Sequence, residues 1–176
     1  GAHLAEEDGK AGTYFSVWAP NARSVSVVGD FNNWDRTAHP MQPVQQSGIW
    51  DIFVPGVKAG DFYKFAVETS LGYSVLKADP YGNQSQLRPD NASVVADIRY
   101  FDWTDQAWRK AHQEKKTESP MAIYEVHPGS WKKDPSMPGE FYNFKKLAVE
   151  LADYVLEMGY THVELIGLSE HPFDGS

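Results

Sequence analysis

The sequence contains no cysteine and no long run of apolar residues. Without cysteine neither a disulfide bond nor a thiolate metal site can form, which suits a reducing compartment such as the cytoplasm. No apolar stretch approaches the roughly 20 residues that span a membrane, so we expect no membrane partner. His127, His162 and His171 have neither a metal-ligand spacing nor a nucleophile–base arrangement, and we expect no metal and no cofactor.

Positive charge is also scarce. The chain has 16 lysine and arginine residues against 24 aspartate and glutamate residues, a formal net charge of −8. Such an acidic balance argues against electrostatic binding to nucleic acid or to an anionic membrane surface. A neutral ligand is indifferent to it.

Aromatic residues, by contrast, are abundant. Six Trp, nine Tyr and nine Phe exceed what a small core needs, so the rings serve either a β-sandwich core or a ligand surface. The stretch "GDFNNWD" (29–35) places Trp34 among turn-forming Asn and Asp residues. Trp34 is therefore either a core residue beside a turn or a flat ring held out for a ligand.

Residues 13–99 read as a series of strands. "TYFSVWAP", "SVSVVGDF", "GIWDIFVPG" and "DFYKFAVET" alternate apolar and polar residues and end in turn formers. With "YSVLKADPYG" and "NASVVADI" they predict six or seven short strands in an antiparallel, Ig-like β-sandwich. The polar, Gly-rich residues 1–12 predict a flexible lead-in. We assign four large aromatic residues to the sandwich core: Trp18, Trp50, Phe53 and Phe65.

The pattern changes after the predicted sandwich. Residues 100–120 predict a connector with a short helix, which Thr104 caps and in which Trp108 is buried. Residues 121–176 then read as strand, helix, strand. In "NFKKLAVELADYVLEMGY" Asn143 is the candidate N-cap and Gly159 the candidate C′ residue. Such a βαβ unit has parallel strands.

A single βαβ unit leaves two strand edges and one sheet face uncovered. We therefore expect residues 121–176 to be an incomplete domain whose exposed edge either promotes self-association or packs onto the sandwich. Three carboxylates flank these strands and are expected to be structural: Glu125, Glu164 and Glu170.

"FSVWAPNARSVSVVGDFNNWD", followed by "HPM" and "SGIWDIFVPG", resembles the family 48 carbohydrate-binding module that precedes the barrel of glycogen branching enzymes. "IYEVHPGSW" and "LADYVLEMGYTHVELIGLSEHPFDGS" resemble the opening of the glycoside hydrolase family 13 barrel. The resemblance implies a mainly β chain, an Ig-like β-sandwich followed by a truncated βαβ start of a TIM (β/α)8 barrel.

The resemblance further implies the N-terminal, α-glucan-binding region of a 1,4-α-glucan branching enzyme, which transfers α-1,4 glucan segments to 6-hydroxyls. In that family the nucleophile Asp, the acid/base Glu and a stabilising Asp come from strands well after the second. We therefore expect this chain alone to be inactive. The alternatives are a non-enzymatic glycogen- or starch-binding module, and the N-terminal part of a trehalohydrolase or debranching enzyme.

Five residues match the sugar-binding positions of related modules. By this resemblance Trp34 stacks on a sugar, and Tyr73 supplies a second ring where relatives carry Trp. Lys64 donates to sugar hydroxyls, Leu87 contacts a sugar ring, and Asn91 hydrogen-bonds a hydroxyl. The implied partners are glycogen, amylose and maltooligosaccharides. The competing interpretations are a structural Trp34 beside its turn and a solvated Lys64 on a strand.

Overall fold

The computed structural model describes residues 1–99, 101–113, 119–136, 139 and 142–169. These residues form two compact units that meet in the sequence between Asp102 and Trp103. The sequence had predicted a separate connector over residues 100–120. In the part of the chain that the structure describes, no helix is long and apolar enough to cross a membrane.

The first unit is built from two antiparallel sheets. One contains β1 (Ala2–Glu7), β2 (Lys10–Trp18), β4 (Gln42–Pro43) and β5 (Ile49–Pro55), in the order β1-β2-β5-β4. The other contains β3 (Ser24–Gly29), β6 (Phe62–Glu68) and β7 (Ser74–Lys77), in the order β3-β6-β7, and β8 (Ser93–Val94) also pairs with β6. This arrangement confirms the predicted antiparallel sandwich.

The sandwich core comes from strand alternation. Phe15 and Val17 point inward from β2, Val25 and Val27 from β3, and all four are buried in one hydrophobic cluster. Tyr63 of β6 joins that cluster. Because alternate side chains of a strand face opposite sides, the residues between these positions are left for the outer faces of the sheets.

The prediction of a flexible lead-in over residues 1–12 is wrong. Ala2–Glu7 is strand β1, which pairs with β2 from Ala2 opposite Phe15 to Glu7 opposite Lys10. Asp8 and Gly9 connect the two strands with φ angles of 49° and 72°. An Asp-Gly pair favours a two-residue hairpin, because both residues accept positive φ. The Asp8-Gly9 pair therefore indicates a hairpin, and with it strand β1, in the sequence itself.

The prediction of a core position is wrong for two of the four aromatic residues. Phe65 is fully buried, and Trp50 is half-buried against the core cluster. Trp18 and Phe53 lie outside that cluster, and 66% of Trp18 is exposed. The reason is the alternation of the strands, because Trp18 directly follows the inward-facing Val17.

The second unit contains α1 (Gln106–Gln113), β9 (Ile123–Val126), the single turn α2 (Pro128–Trp131), α3 (Phe144–Glu157) and β10 (His162–Leu165). Strands β9 and β10 pair in parallel, which confirms the βαβ unit. Asn143 caps α3 as predicted, its Oδ1 accepting from the Lys146 amide at 3.0 Å. Gly159 follows the helix with a φ of 78°, as a C′ residue does.

The predicted connector helix exists as α1, but its predicted buried residue is wrong. Trp108 is exposed, and no described residue of α1 is buried. The Trp108 indole instead stacks on the His112 imidazole one turn later, with the ring centroids 3.8 Å apart. A ring pair four residues apart on one helix face needs no partner from the core.

Candidate functional site

Trp34 lies in a turn with an unusual backbone. Asn33 and Trp34 both have left-handed φ angles, 53° and 61°, and the Asp35 amide closes the turn on the Asn32 carbonyl at 3.1 Å. For a residue with a side chain this conformation costs about 1–2 kcal/mol, and a bulky residue rarely adopts it. Such strain occurs where the surrounding structure enforces it, often at a functional site.

Hydrogen bonds hold the indole of Trp34 in place. Its Nε1 donates to Asp30 Oδ1 at 3.0 Å, and its amide donates to the Gly29 carbonyl at 2.9 Å. Below the turn, the Asn32 side chain accepts from the Gly29 amide at 2.9 Å and donates to the Val27 carbonyl at 3.0 Å. The indole is half-buried. It is therefore a fixed ring that is neither sealed in the core nor loose in solvent.

Asp35 braces the other side of the same turn. Its Oδ1 accepts from the Thr37 amide at 2.8 Å and from the Thr37 hydroxyl at 2.7 Å. The amide and then the hydroxyl of Thr37 lower the pKa of the Asp35 carboxyl, because both bonds favour the ionised form. The turn that carries Trp34 is thus tied at both ends.

Lys64 and Asn91 lie in direct contact. Lys64 sits between the inward-facing Tyr63 and Phe65 of β6, and its Nζ donates to Asn91 Oδ1 at 2.5 Å. A lysine ammonium has three protons, so two remain for other acceptors, and the Asn91 amide still has its two Nδ2 protons. This pair can donate several hydrogen bonds to a ligand hydroxyl.

Leu87 and Asn91 share one loop. The loop is closed at its ends, where the Gln86 amide donates to the Ala92 carbonyl at 2.8 Å and the Ala92 amide donates to Gln86 Oε1 at 3.2 Å. Between these ends Leu87 is 88% exposed. An apolar side chain held out this far on a closed loop is available to contact a ligand.

Tyr73 lies on the turn between β6 and β7 and is 68% exposed. Its carbonyl accepts from the Thr69 amide at 2.8 Å. Arg36 connects this turn to that of Trp34, because its Nη1 donates to the Ser74 hydroxyl at 2.9 Å and to the Ser74 carbonyl at 3.3 Å. The sequence reasoning missed Arg36, although it follows Trp34 by only two positions.

All five predicted residues belong to the first unit, and the β3–β6 pairing brings the turn of Trp34 next to the strand of Lys64. Gly29, which bonds Trp34, pairs with Tyr63, the residue before Lys64. Lys64 and Asn91 touch, whereas Arg36 links the turns of Trp34 and Tyr73. Among the described residues no hydrogen bond joins the two rings, Trp34 and Tyr73, to the polar pair of Lys64 and Asn91. The arrangement provides rings, an exposed leucine and hydrogen-bond donors.

The carboxylates of the βαβ unit are arranged differently. Glu125 and Glu164 are direct partners in the parallel β9–β10 register, and both are exposed. The neighbouring Val126 packs against Leu151 of α3, so alternation places Glu125 on the sheet face away from that helix. Two carboxylates thus lie side by side on one face. Glu170 and His171 lie outside the described residues.

The sequence of the first unit is similar to that of a known family of binding modules. Residues 1–82 match the profile of carbohydrate-binding module 48 (isoamylase N-terminal domain). The chain is 50% identical over 177 residues to the 1,4-alpha-glucan branching enzyme of Protochlamydia amoebophila, a match covering 100% of this chain and 24% of that enzyme. It is 49% identical over 178 residues to the enzyme of Butyrivibrio fibrisolvens, covering 100% and 28%.

Solved structures share the fold at lower identity. The GBS pullulanase SAP in complex with maltotetraose matches with a TM-score of 0.67 and 22% identity, covering 98% of this chain and 24% of that one. A putative alpha amylase from Salmonella typhimurium matches with a TM-score of 0.66 and 23% identity, covering 98% and 25%. The chain spans about a quarter of the length of the curated relatives it matches. Residues 1–82 are therefore similar to the family 48 carbohydrate-binding modules, and the chain as a whole is similar to the N-terminal region of 1,4-alpha-glucan branching enzymes.

Proposed function

We propose that the first unit binds α-glucans, namely glycogen, amylose and maltooligosaccharides, through Trp34, Lys64, Tyr73, Leu87 and Asn91. The observation that carries this proposal is the strained, hydrogen-bonded turn that holds the Trp34 indole. A glucan is neutral, so its recognition rests on apolar contact and hydrogen bonds. Covering one indole face removes on the order of 100 Å² from water, which stabilises a complex by about 2.5 kcal/mol before the costs of association.

In this proposal the rings and the polar pair have separate tasks. The CH faces of successive glucose residues pack on Trp34 and Tyr73, and Leu87 covers the side of one ring. Lys64 and Asn91 donate to sugar hydroxyls. Aromatic rings suit this task because they lose little side-chain freedom when a ligand binds.

The relatives support the choice of ligand and a larger role. The pullulanase of similar fold is in complex with maltotetraose, and the similar full-length proteins are branching enzymes. We propose that this sequence is part of such an enzyme, acting in the cytoplasm and transferring α-1,4 glucan segments to 6-hydroxyls. The module then holds the polymer for the catalytic barrel. A purely non-enzymatic module has no use for the βαβ unit.

We further propose that these 176 residues alone do not branch glucan. A retaining glycosidase needs two carboxyl groups about 5 Å apart that flank the scissile bond. Glu125 and Glu164 project from one face of one sheet and do not face each other across a cleft. We expect an iodine-staining branching assay to give no change with this chain. Measurable branching would contradict the proposal.

The edge of the β9–β10 sheet is proposed to mediate self-association. All four residues of β10 are exposed, among them Val163 and Leu165. A strand with one unpaired edge and apolar side chains is a template for a second copy. Sedimentation velocity at rising concentration tests this. A Val163→Lys variant is expected to stay monomeric where the wild type associates, and equal behaviour of the two chains would contradict it.

Affinity electrophoresis in gels containing glycogen tests glucan binding. We expect the wild-type chain to be retarded and the retardation to be strongly reduced in Trp34→Ala. Trp108→Ala is the matched control, because it removes an exposed indole from α1 in the other unit. Retardation that is equal in wild type and Trp34→Ala, or reduced equally in Trp34→Ala and Trp108→Ala, would overturn the assignment.

A further inference from the structure

Trp18 is a large exposed ring that the proposed glucan surface does not use. It lies at the end of β2 and faces away from the core, opposite Ile49 of β5. Its indole N–H forms no hydrogen bond within the described residues. Strand alternation accounts for the exposure of Trp18. It does not say what such a large ring does on the surface.

The Trp18 ring borders a groove of about 320 Å³. The groove is lined by Trp18, Trp50, Pro20, Pro43 and the loop of residues 45–48. Trp50 is fixed, because its Nε1 donates to the Ala19 carbonyl at 3.0 Å. Two indoles therefore line the same groove. That of Trp50 is held by a hydrogen bond, and that of Trp18 is exposed.

Gly48 allows the loop to lie against the tryptophan. A Cβ atom on Gly48 would fall 2.7 Å from Pro20 Cβ and 3.1 Å from Trp18 Nε1, and its φ of 78° disfavours any other residue. The Ser47 hydroxyl donates to the Val44 carbonyl at 2.7 Å and accepts from the Ile49 amide at 3.1 Å. The loop is thus held in one shape beside the ring.

The rim of the groove is polar but uncharged. The side-chain amides of Gln45 and Gln46 have no hydrogen-bond partner within the described residues, and no acidic or basic side chain lines the groove. An aromatic floor with free amides at its edge fits a neutral ligand rich in hydroxyl groups. It does not fit an anion or a cation.

We propose that this groove is a second α-glucan-binding site, in which Trp18 stacks on a sugar and Gln45 and Gln46 bind its hydroxyls. It belongs to the sheet of β2 and β5, whereas Lys64 and Tyr73 lie on and beside the sheet of β3, β6 and β7. The choice of ligand rests on the proposed function, but the site does not. Two sites on one module raise the affinity for a long polymer more than for a short oligosaccharide.

Nuclear magnetic resonance of the indole N–H groups tests this site separately from the first. The chain has six tryptophans, and single Trp→Phe variants assign their signals. During titration with maltoheptaose we expect the Trp18 signal to shift and saturate, in the wild type and in Trp34→Ala alike. Trp18→Ala is expected to weaken glycogen retention about three- to tenfold and to leave the maltoheptaose-induced shift of Trp34 unchanged.

The outcomes separate the two proposals. A shift of Trp34 with no shift of Trp18 overturns the second site and supports the first. A shift of Trp18 alone supports the second site and contradicts the proposed function of the Trp34 surface. No shift of either ring overturns both, and so does an equal shift of all six rings, which would indicate a nonspecific effect of the sugar.

Discussion

Lys64 Nζ donates to Asn91 Oδ1 at 2.5 Å, although the two residues are 27 positions apart. Lys64 is fixed by the pairing of β6, and Asn91 by the closed loop that ends at Ala92. Because a lysine ammonium can only donate, it turns the amide oxygen of Asn91 toward itself and the amide protons outward. The contact arranges donors before any ligand arrives.

This contact predicts that Lys64 and Asn91 act together in glucan binding. Lys64→Met and Asn91→Ala are each expected to weaken maltoheptaose binding about three- to tenfold, and the double variant little more than either one. Isothermal titration calorimetry of the four chains measures this. Lys10→Met, which removes an exposed lysine from the β1–β2 hairpin, is the control and keeps wild-type affinity. Strictly additive losses would contradict the shared role.

The site was predictable in part, and the limits have physical reasons. The family resemblance pointed to Lys64 and Asn91, and the fold brings them into contact. The contribution of Arg36 was not predictable, because it depends on how the turn after β3 meets that before β7. Nor does a local pattern foretell that Trp34 adopts a left-handed φ, since short-range preferences disfavour it.

The left-handed φ of Trp34 predicts an inverted order of stability. Glycine adopts positive φ freely and alanine does not, so Trp34→Gly is expected to be more stable than Trp34→Ala by about 1 kcal/mol. At Tyr73, which has no positive φ, the order is expected to be reversed, with Tyr73→Gly the less stable variant. Urea denaturation of the four variants measures the differences. An alanine variant at position 34 as stable as the glycine variant would rule out the strain.

The buried hydroxyl of Tyr63 predicts a stability contrast with Tyr14. Tyr63 donates to Asp79 Oδ2 at 2.6 Å inside the sandwich, and its burial raises the pKa of the phenol. Tyr63→Phe leaves the Asp79 carboxylate short of a partner and is expected to cost about 1–3 kcal/mol. Tyr14→Phe removes a similar bond to Asp51, of 2.7 Å but exposed, and is expected to cost under about 0.5 kcal/mol.

Urea unfolding of the two phenylalanine variants, followed by circular dichroism, provides this comparison. The slope of the transition should match the wild type in both, so that the shift in midpoint reports stability. Equal midpoints for Tyr63→Phe and Tyr14→Phe would show that burial does not strengthen the Tyr63 contact.

Asp134 predicts an acid-dependent contribution in the second unit. The Ser136 hydroxyl and amide, and then Lys146, lower the pKa of Asp134 to about 2. The pKa of an unfolded Asp is about 3.9, so the stabilisation is complete above about pH 4 and is lost as the pH falls toward 2. Asp134→Asn is therefore expected to be less stable than the wild type at pH 7, and the difference should shrink toward pH 2.

The Ser136 amide reports the same titration directly, because it donates to Asp134 Oδ1 at 2.9 Å. Its proton chemical shift should change with a midpoint near pH 2 in the wild type and show no such step in Asp134→Asn. A midpoint near 3.9 would contradict the lowered pKa.

The sequence predicts the strands and helices of the fold better than it predicts which aromatic side chains are buried. Strand alternation and helix caps identified the sandwich and the βαβ unit, because these signals are local. The prediction for Trp18 and Phe53 is wrong because strand alternation, and not hydrophobicity, decides which side chains face the core; Val17 faces inward, so Trp18 faces outward. Trp108 was misassigned because stacking on His112 satisfies its ring without a core.

We propose above all that the Trp34 ring binds a neutral glucan. Calorimetric titration of maltoheptaose into the wild type, Trp34→Phe and Trp34→Ala tests it most directly. We expect saturable binding to the wild type, a small loss of affinity in Trp34→Phe, and at least a tenfold loss of affinity in Trp34→Ala, which corresponds to about 1.4 kcal/mol. Equal dissociation constants for the wild type and Trp34→Ala, with both chains folded, would contradict it.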